Sequence, residues 1–312
     1  MNNYLVFDVG GSSVKYAVMN EQGDILTKGD YISSANNFDK FTKEIIKVTN
    51  IHKETYELKG IALSCPGGVN SESGVIGGAS ALPCIHGPNF KEVFGNATGL
   101  PIEIENDANC AALGEVWKGA ARQNQDVLFI VIGSGIGGAV VKNRQIHHGA
   151  NLHGGEVGYM VMKLENGQAY TWSDLASTRG LIENVAKRKS VLVEGYNGKR
   201  VFTEAENGDQ DCLEAINEFY HYLAHGIYNL QYVYDPEKII IGGAISSRTD
   251  LIKEIQTKLD EILDSVKIAK IRPVIEICHF KNDANLIGAL YHFLQRQSTK
   301  VQKRKRLVHR RT

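Results

Sequence analysis

The chain has 312 residues, 43% of them hydrophobic, with 35 basic and 35 acidic side chains, a length that suits two domains with substantial cores better than one. Seven of the basic residues lie from Lys300 onward with no acid among them, so the body carries 28 against 35, about −7, which argues against a nucleic-acid-binding surface. Five cysteines (Cys65, Cys84, Cys110, Cys212, Cys278) without a CxC or CxxC pair exclude a disulfide framework and read as mostly buried free thiols, and the lack of a signal-like N-terminus or a run of roughly 18 apolar residues predicts a soluble, cytoplasmic protein with no membrane partner.

In chain order, residues 4–9 and 14–19 read as strands around a first glycine turn, Gly10-Gly11-Ser12-Ser13, and the turn Asn20-Glu21-Gln22-Gly23 leads to a third strand at 25–31. Helical spacing places Phe41, Ile45, Val48 and Ile51 on one face of a helix starting near Phe38. The apolar run 60–64 is a strand closed by Cys65-Pro66-Gly67-Gly68. After a short helix near 91–97, a strand at 101–105 runs through Asn106-Asp107 into a helix at 108–118. The theme restarts at Val127, with an apolar strand at 127–132, a second glycine turn Gly133-Ser134-Gly135-Ile136-Gly137-Gly138, and a strand at 139–141. One helix begins near Ser173-Asp174. A longer one carries Leu213, Ile216, Phe219, Leu223, Ile227, Leu230 and Val233 on one face and is stopped by Pro236. The strand 238–241 ends in Gly242-Gly243-Ala244. A helix with Leu251, Ile255, Leu259, Ile262 and Leu263, a strand at 274–277 and a last helix from about 284 follow. The alternation predicts an α/β domain over 1–119, completed by the C-terminal helix 284–298, a second α/β domain over 120–283, and a basic tail over 299–312.

Glycine lets main-chain N–H groups approach phosphate oxygens with no side chain in the way, so two strand-turn-strand glycine loops suggest a bound nucleotide. Gly133, Gly135 and Gly138 have GxGxxG spacing, but a dinucleotide fingerprint needs a helix at the third glycine. Here Ala139-Val140-Val141 and then Lys142-Asn143-Arg144 read as a hairpin. The plainer alternative is a pair of tight hairpins without a ligand; Asp8, Ser12, Ser13 and Ser134 count against it. Asp8 at a strand end is placed to meet a phosphate-bound Mg2+ through water. Asn106-Asp107 suits a helix cap, and equally a carboxylate that takes the proton of a phosphoryl acceptor's hydroxyl. The stretch with His147-His148, His153 and Glu156 fits no common zinc spacing, and Glu156 with His153 points to hydroxyl recognition. The tail Lys303-Arg304-Lys305-Arg306 and beyond reads as a solvated extension or an expression remnant rather than a nucleic-acid arm.

Together these pieces resemble the ROK family (repressors, open reading frames, kinases), within the larger group of sugar kinases and actin-like ATPases. The resemblance is carried by Asp8-x-Gly10-Gly11-Ser12-x-x-Lys15, Ser64-x-Pro66-Gly67, Glu105-Asn106-Asp107-Ala108-Asn109 with Gly114-Glu115, Ile132 to Gly138, Gly155-Glu156-Val157-Gly158 and Ile241-Gly242-Gly243-Ala244, in family order. It implies a two-domain α/β actin-like ATPase (sugar kinase, ribonuclease H-like) fold with a cleft between domains. The implied activity is an ATP- and Mg2+-dependent kinase acting on the 6-hydroxyl of glucose, N-acetylmannosamine or a beta-glucoside, in a homodimer. By the same resemblance Asp107 is the base, and Asn106, Glu156, His153, Tyr159, Gly67 and His86 surround the sugar. Asp8, Gly10, Gly11, Ser12, Ser13, Lys15, Gly133, Ser134, Gly135, Gly137 and Gly138 hold the phosphates, and Gly243 and Ala244 lie near the adenosine.

Two departures matter. Many members have a histidine after the Glu-Val-Gly segment and a CxCGxxGC cluster, which together bind a structural zinc. Tyr159 stands at the histidine position and 170–175 contain no cysteine, so no zinc is expected. The family's Asn-Leu-Pro-Gly-Trp segment is replaced by Ser80-Ala81-Leu82-Pro83-Cys84-Ile85-His86-Gly87, which alters another wall of the sugar pocket. A transcriptional regulator of the family would carry a winged helix before the first glycine turn, where only seven residues precede Asp8. A sensor without catalysis is disfavoured by the intact Asp107 and both turns.

Overall fold

The computed structural model of the chain describes residues 2–309. Two compact units form, unit 1 from Met1–Arg122, His148–His153 and Asn282–Thr312, and unit 2 from Gln123–His147 and Gly154–Lys281. The short segment His148–His153, expected within the second domain, thus packs with unit 1.

Unit 1 begins with an antiparallel meander, β1 (Asn3–Val9), β2 (Ser13–Asn20) and β3 (Ile25–Ile32). Helix α1 (Phe38–Lys53) leads to β4 (Leu58–Cys65), a small hairpin of β5 (Gly68–Asn70) and β6 (Val75–Gly77), helix α2 (Phe90–Thr98), β7 (Ile102–Asn106) and helix α3 (Asp107–Lys118). The sheet order is β3-β2-β1-β4-β7, with β1, β4 and β7 parallel. Parallel neighbours need crossover connections, which α1 and α2 supply. On α1 the buried stripe is Phe41, Ile45, Val48 and Thr49. Ile51, expected inside, is 53% exposed, because a 3.6-residue period carries the stripe from Val48 to position 52 rather than 51.

Strand alternation divides β7 between two tasks. Ile102 and Ile104 join Leu5, Phe7, Phe41, Phe90 and Phe94 in one core. Glu103 and Glu105 point the other way and are also fully buried. They are tolerated because cations and donors reach them. Glu103 takes Lys91 Nζ at 2.7 Å and Lys300 Nζ at 2.6 Å, so the C-terminal helix, Ala284–His309, is docked partly by charge. That helix runs beyond the expected end; the side chains of the basic tail from 303 on lie outside the described residues.

The same helix crosses α3 at backbone distance. A Cβ on Gly288 would stand 1.5 Å from the Cys110 carbonyl oxygen, and one on Gly114 would stand 2.8 Å from that of Ala284. No side chain fits between these backbones.

Unit 2 opens with a hairpin, β8 (Val127–Ile132) and β9 (Ile136–Lys142), extended by β10 (Gln145–Ile146). The second glycine turn therefore feeds a strand, as the reading of 139–144 required. A second hairpin, β11 (Val161–Glu165) and β12 (Gln168–Thr171), precedes helices α4 (Trp172–Ala176), α5 (Thr178–Lys189), α6 (Gly198–Glu206) and α7 (Gln210–Tyr234). Strand β13 (Lys238–Gly242), helix α8 (Leu251–Ser265) and β14 (Ile275–Ile277) complete the unit, with sheet order β10-β9-β8-β13-β14 and β8, β13 and β14 parallel. Helix α7 buries Cys212, Ala215, Phe219, Leu223, Ile227 and Leu230. Leu213 lies off that stripe at 41% exposure, and Val233, in the last turn, is 81% exposed; both were expected inside. All five cysteines are free thiols and four are buried. Among the described residues no helix is long and apolar enough to cross a membrane.

The crossing of α3 and the C-terminal helix generates a first prediction. Alanine normally stabilises a helix interior over glycine by about 1 kcal/mol, but at position 288 the methyl has no room. Gly288→Ala is expected to lower unfolding free energy by about 3 kcal/mol or more, read from urea midpoints; a neutral or stabilised variant would refute the contact.

Candidate active site

Strand register sets the geometry in unit 1. Asp8 on β1 pairs with Ser64 on β4, Ser64 with Glu105 on β7, and Cys65 with Asn106. The carboxyl ends of three parallel strands therefore present Asp8, Ser64-Cys65 and Asn106-Asp107 along one edge, where open α/β sheets bind ligands. Strand spacing makes that row roughly 10 Å wide. Asp8 Oδ1 accepts from Ser64 Oγ at 3.1 Å and from Asn285 Nδ2 at 2.9 Å, and Lys15 Nζ lies 3.9 Å from Oδ2. The first glycine turn is pinned from below: Gly10 N donates to Ser13 O, Ser33 N to Ser12 O, and Ser33 Oγ to Gly10 O. Gly11 and Ser12 stay exposed.

Asn106 and Asp107 divide the labour at the head of α3. Asn106 is the cap, its Oδ1 accepting from Asn109 N at 3.1 Å, while its Nδ2 donates to Gly67 O at 3.1 Å. Asp107 is the first helical residue and accepts from Ala108 N at 2.8 Å, where the positive end of the helix favours an anionic carboxylate. Gly67 has φ +97° and lies so close to the His86 ring that a Cβ would stand 3.0 Å from Cε1. His86 Nε2 meets Ser80 Oγ at 2.9 Å. Gly67, His86, Asn106 and Asp107 are thus linked within unit 1. The exposed His153 belongs to the same unit, its Nδ1 held 2.7 Å from Asn151 O in its own turn.

Behind Asp107 lies a network that reading the sequence for motifs did not single out. Glu105, fully buried, accepts from Asn106 N (2.8 Å) and Asn109 Nδ2 (3.0 Å) on Oε1. Its Oε2 meets His148 Nε2 at 2.7 Å and lies 3.6 Å from His292 Nδ1. Burial pushes the Glu105 carboxyl up, but the His148 hydrogen bond, the two histidines and Asn109 outweigh it and hold its pKa below the usual value. The hydrogen bond to Glu105 raises the His148 pKa against partial burial, whereas burial lowers that of His292. His148 is the histidine in hydrogen-bond contact with Glu105, and His292 is the more distant of the two. The thiols of Cys65 and Cys110 are pushed well up by burial, with Asp107, Asp8 and Glu105 adding to the effect at both. They are neutral filling beneath the carboxylates rather than nucleophiles. The available signal was a pair of acids alternating with isoleucine in a strand.

In unit 2 the carboxyl ends of β8 and β13 also lie side by side, Val131 pairing with Gly242. The second glycine turn is fixed by Gly133 N to Gly135 O (2.9 Å), Thr178 N to Gly133 O (2.9 Å) and Ile136 N to Ser173 Oγ (2.9 Å). Its glycines differ in what they serve. A Cβ on Gly138 would meet Phe129 O at 2.7 Å and Gly155 O at 2.9 Å, so packing requires glycine there. Around Gly133 and Gly137 nothing lies within 4 Å of the missing Cβ, leaving space beside the main chain. Gly243 has φ +88° and approaches Ile132 O, and Ala244 opens a 3-10 turn. Glu156 is exposed and its carbonyl accepts from Tyr159 N; the Tyr159 side chain is 72% exposed. Among the described residues one acid-and-thiol group has metal-like spacing, Glu204, Asp209 and Cys212. Lys189 Nζ already occupies it, 2.8 Å from Glu204 and 2.5 Å from Asp209.

The sequence model of the ROK family matches residues 4–296. A beta-glucoside kinase of Listeria monocytogenes is 35% identical, over 94% of this chain and 97% of that protein, and a beta-glucoside kinase of Klebsiella pneumoniae is 32% identical over 93% and 95%. Among solved structures, a ROK family protein of Streptococcus pneumoniae TIGR4 in complex with sucrose superposes with a TM-score of 0.87 at 34% identity, covering 95% of this chain and 99% of that one. A ROK family glucokinase of Streptomyces griseus with glucose and AMPPNP, 22% identical, gives 0.74 over 92% of this chain and 98% of that one. The fold is that of the actin-like ATPases.

The Glu105–His148 pair generates a pH prediction. Glu105, with a lowered pKa, contributes stability above about pH 4.5 and loses it as pH falls through its folded value; His148, raised, contributes fully below about pH 6.5 and loses it as pH rises through its folded value. Arg296 opposes the charge on His148 and Glu72 supports it, with His292 beside the pair. The stability advantage of the parent chain over His148→Ala is expected to peak between roughly pH 5 and 6.5 and shrink toward alkaline pH. Urea midpoints across that range check it, and an advantage growing toward pH 8 would contradict the pairing.

Proposed function

The chain belongs to the ROK family, and on that premise we propose that it is an ATP-dependent sugar kinase whose acceptor is the 6-hydroxyl of a beta-glucoside, with Asp107 as general base. One observation carries the reading: Asp8 on β1, just before the first glycine turn, and Asp107 at the head of α3 share the edge formed by the carboxyl ends of the parallel strands β1, β4 and β7. Asn106 supplies the cap, so the Asp107 carboxylate beside it is not needed for that hydrogen bond. The choice of a beta-glucoside over glucose or N-acetylmannosamine rests on the relatives that carry that name over more than nine-tenths of this chain.

In this reading the Asp107 carboxylate accepts the hydroxyl proton as the acceptor oxygen attacks the γ-phosphorus and the bond to the β-phosphate oxygen breaks. Asn106, Glu156, Tyr159 and His86 orient the sugar. The open space beside the main chain at Gly133 and Gly137 leaves room for phosphate oxygens to approach, and the turn at Gly243-Ala244 receives the adenosine. Asp8, an oxygen donor fixed by Ser64 and Asn285, fits a hard cation held through water. Bound Mg2+ would supply charge neutralisation on the phosphate oxygens. A positioned base gives about 10^2 to 10^4 in rate, so alignment and preorganised N–H donors must supply the rest.

ADP release across monosaccharides and beta-linked disaccharides tests the assignment. Highest kcat/KM on a beta-glucoside such as cellobiose is expected; a higher value on glucose or N-acetylmannosamine reassigns the acceptor, and no turnover on any sugar overturns the reading. Asp107→Asn is expected to fold and bind ATP normally while kcat falls by about 10^2 to 10^4; near-normal turnover sinks the role of the base. Gly133→Ala, whose methyl meets no protein atom, is expected to keep its melting temperature within a few degrees and raise KM for ATP roughly tenfold, the cost of about one lost contact. An unchanged KM would remove that turn from the nucleotide site.

A further inference from the structure

Taking the kinase reading and Asp107 as its base, we propose that His148 is a positioning residue for the reaction, which orients Asp107 by donating its Nε2–H to the buried carboxylate of Glu105. The segment His148–His153 leaves unit 2 in sequence and packs with unit 1, and His148 is its link to β7, through the 2.7 Å contact with Glu105 Oε2. On the other oxygen Glu105 receives the main-chain N–H of Asn106 and the side-chain amide of Asn109. Those residues flank Asp107 on the two sides of the strand-to-helix junction. Asn109 N is in turn the group that Asn106 caps. Four hydrogen bonds therefore link the His148 ring to the main-chain N–H groups of Asn106, just before the base, and Asn109, in the first turn of the helix after it.

A fully buried carboxylate cannot give up a donor without consequence. With the His148 ring gone, Oε2 keeps, among the described residues, only His292, whose Nδ1 stands at 3.6 Å, beyond hydrogen-bond length. The carboxyl group must then rotate toward a new partner or take up a proton, and either response weakens the bonds that Oε1 accepts from Asn106 and Asn109. Asp107 itself keeps its chemistry and loses its aim. Displacements of about 1 Å in a reacting group cost on the order of 10^2 in rate, and they fall on turnover rather than on nucleotide binding.

Three chains are compared: the parent, His148→Ala and His148→Gln. The Ala variant is expected to lose 10- to 100-fold in kcat with KM for ATP within about twofold, and the Gln variant, which retains an amide donor, is expected to recover most of that loss. A kcat within twofold of the parent in the Ala variant, a loss confined to KM, or a Gln variant as impaired as Ala overturns the proposal. Amide hydrogen exchange over residues 104–112 is measured on the same chains without substrate, where about tenfold faster exchange in the Ala variant is expected. If the parent phosphorylates no sugar, the kinase reading has failed on its own account. Exchange unchanged by His148→Ala overturns the tether whatever the reaction is.

Discussion

Everything at the Asp107 end of unit 1 depends on two helices touching through bare backbone. Gly114 of α3 and Gly288 of the C-terminal helix leave no width for a side chain, and close packing of that kind has few alternative arrangements. The contact fixes α3 along its length, and with it the position of its first residue. The same approach brings Asn285 to Asp8, so one helix crossing sets both carboxylates that the proposed chemistry uses.

The sheet contributes through its pleat. Because β7 alternates, its isoleucines close the core while Glu103 and Glu105 face away from it, each answered by charged or polar groups from elsewhere in the unit. Burying two acids without partners would be prohibitive. Paired, they specify where the C-terminal helix lies and how the segment from His148 threads. Register then does the rest, since parallel strands in step place Asp8, Ser64 and Glu105 in a row.

Much of this was readable in the residues. Strands, the second hairpin turn, and Asn106-Asp107 at a helix head follow from local pattern, because period and turn chemistry act over a few residues. Ile51, Leu213 and Val233 were assigned inward by the same pattern and are exposed; a stripe several residues wide leaves its margins to tertiary packing. Long-range pairing was hidden for a different reason. Nothing local links His148 to Glu105, 43 residues away, or Asn285 to Asp8, 277 residues away. The glycines show the same limit: spacing groups Gly133, Gly137 and Gly138 together, while the surrounding atoms separate the one that packing demands from the two beside open space.

That the C-terminal helix completes the unit begun at the N-terminus has a temporal side. A ribosome makes β1 and the first glycine turn before unit 2, yet the helix that lies against α3 comes only after all of unit 2, which starts at Gln123 and ends at Lys281. At about 5–20 residues per second that interval is on the order of 10–30 s. During it Glu103 and Glu105 lack the partners that Ala284–His309 brings. Unit 2, whose sequence is nearly continuous, can close in the meantime. The half of the molecule whose first strands precede unit 2 in the chain is the half that is completed after it, and the carboxylates proposed for phosphoryl transfer gain their last partners only once the helix that follows unit 2 has been made.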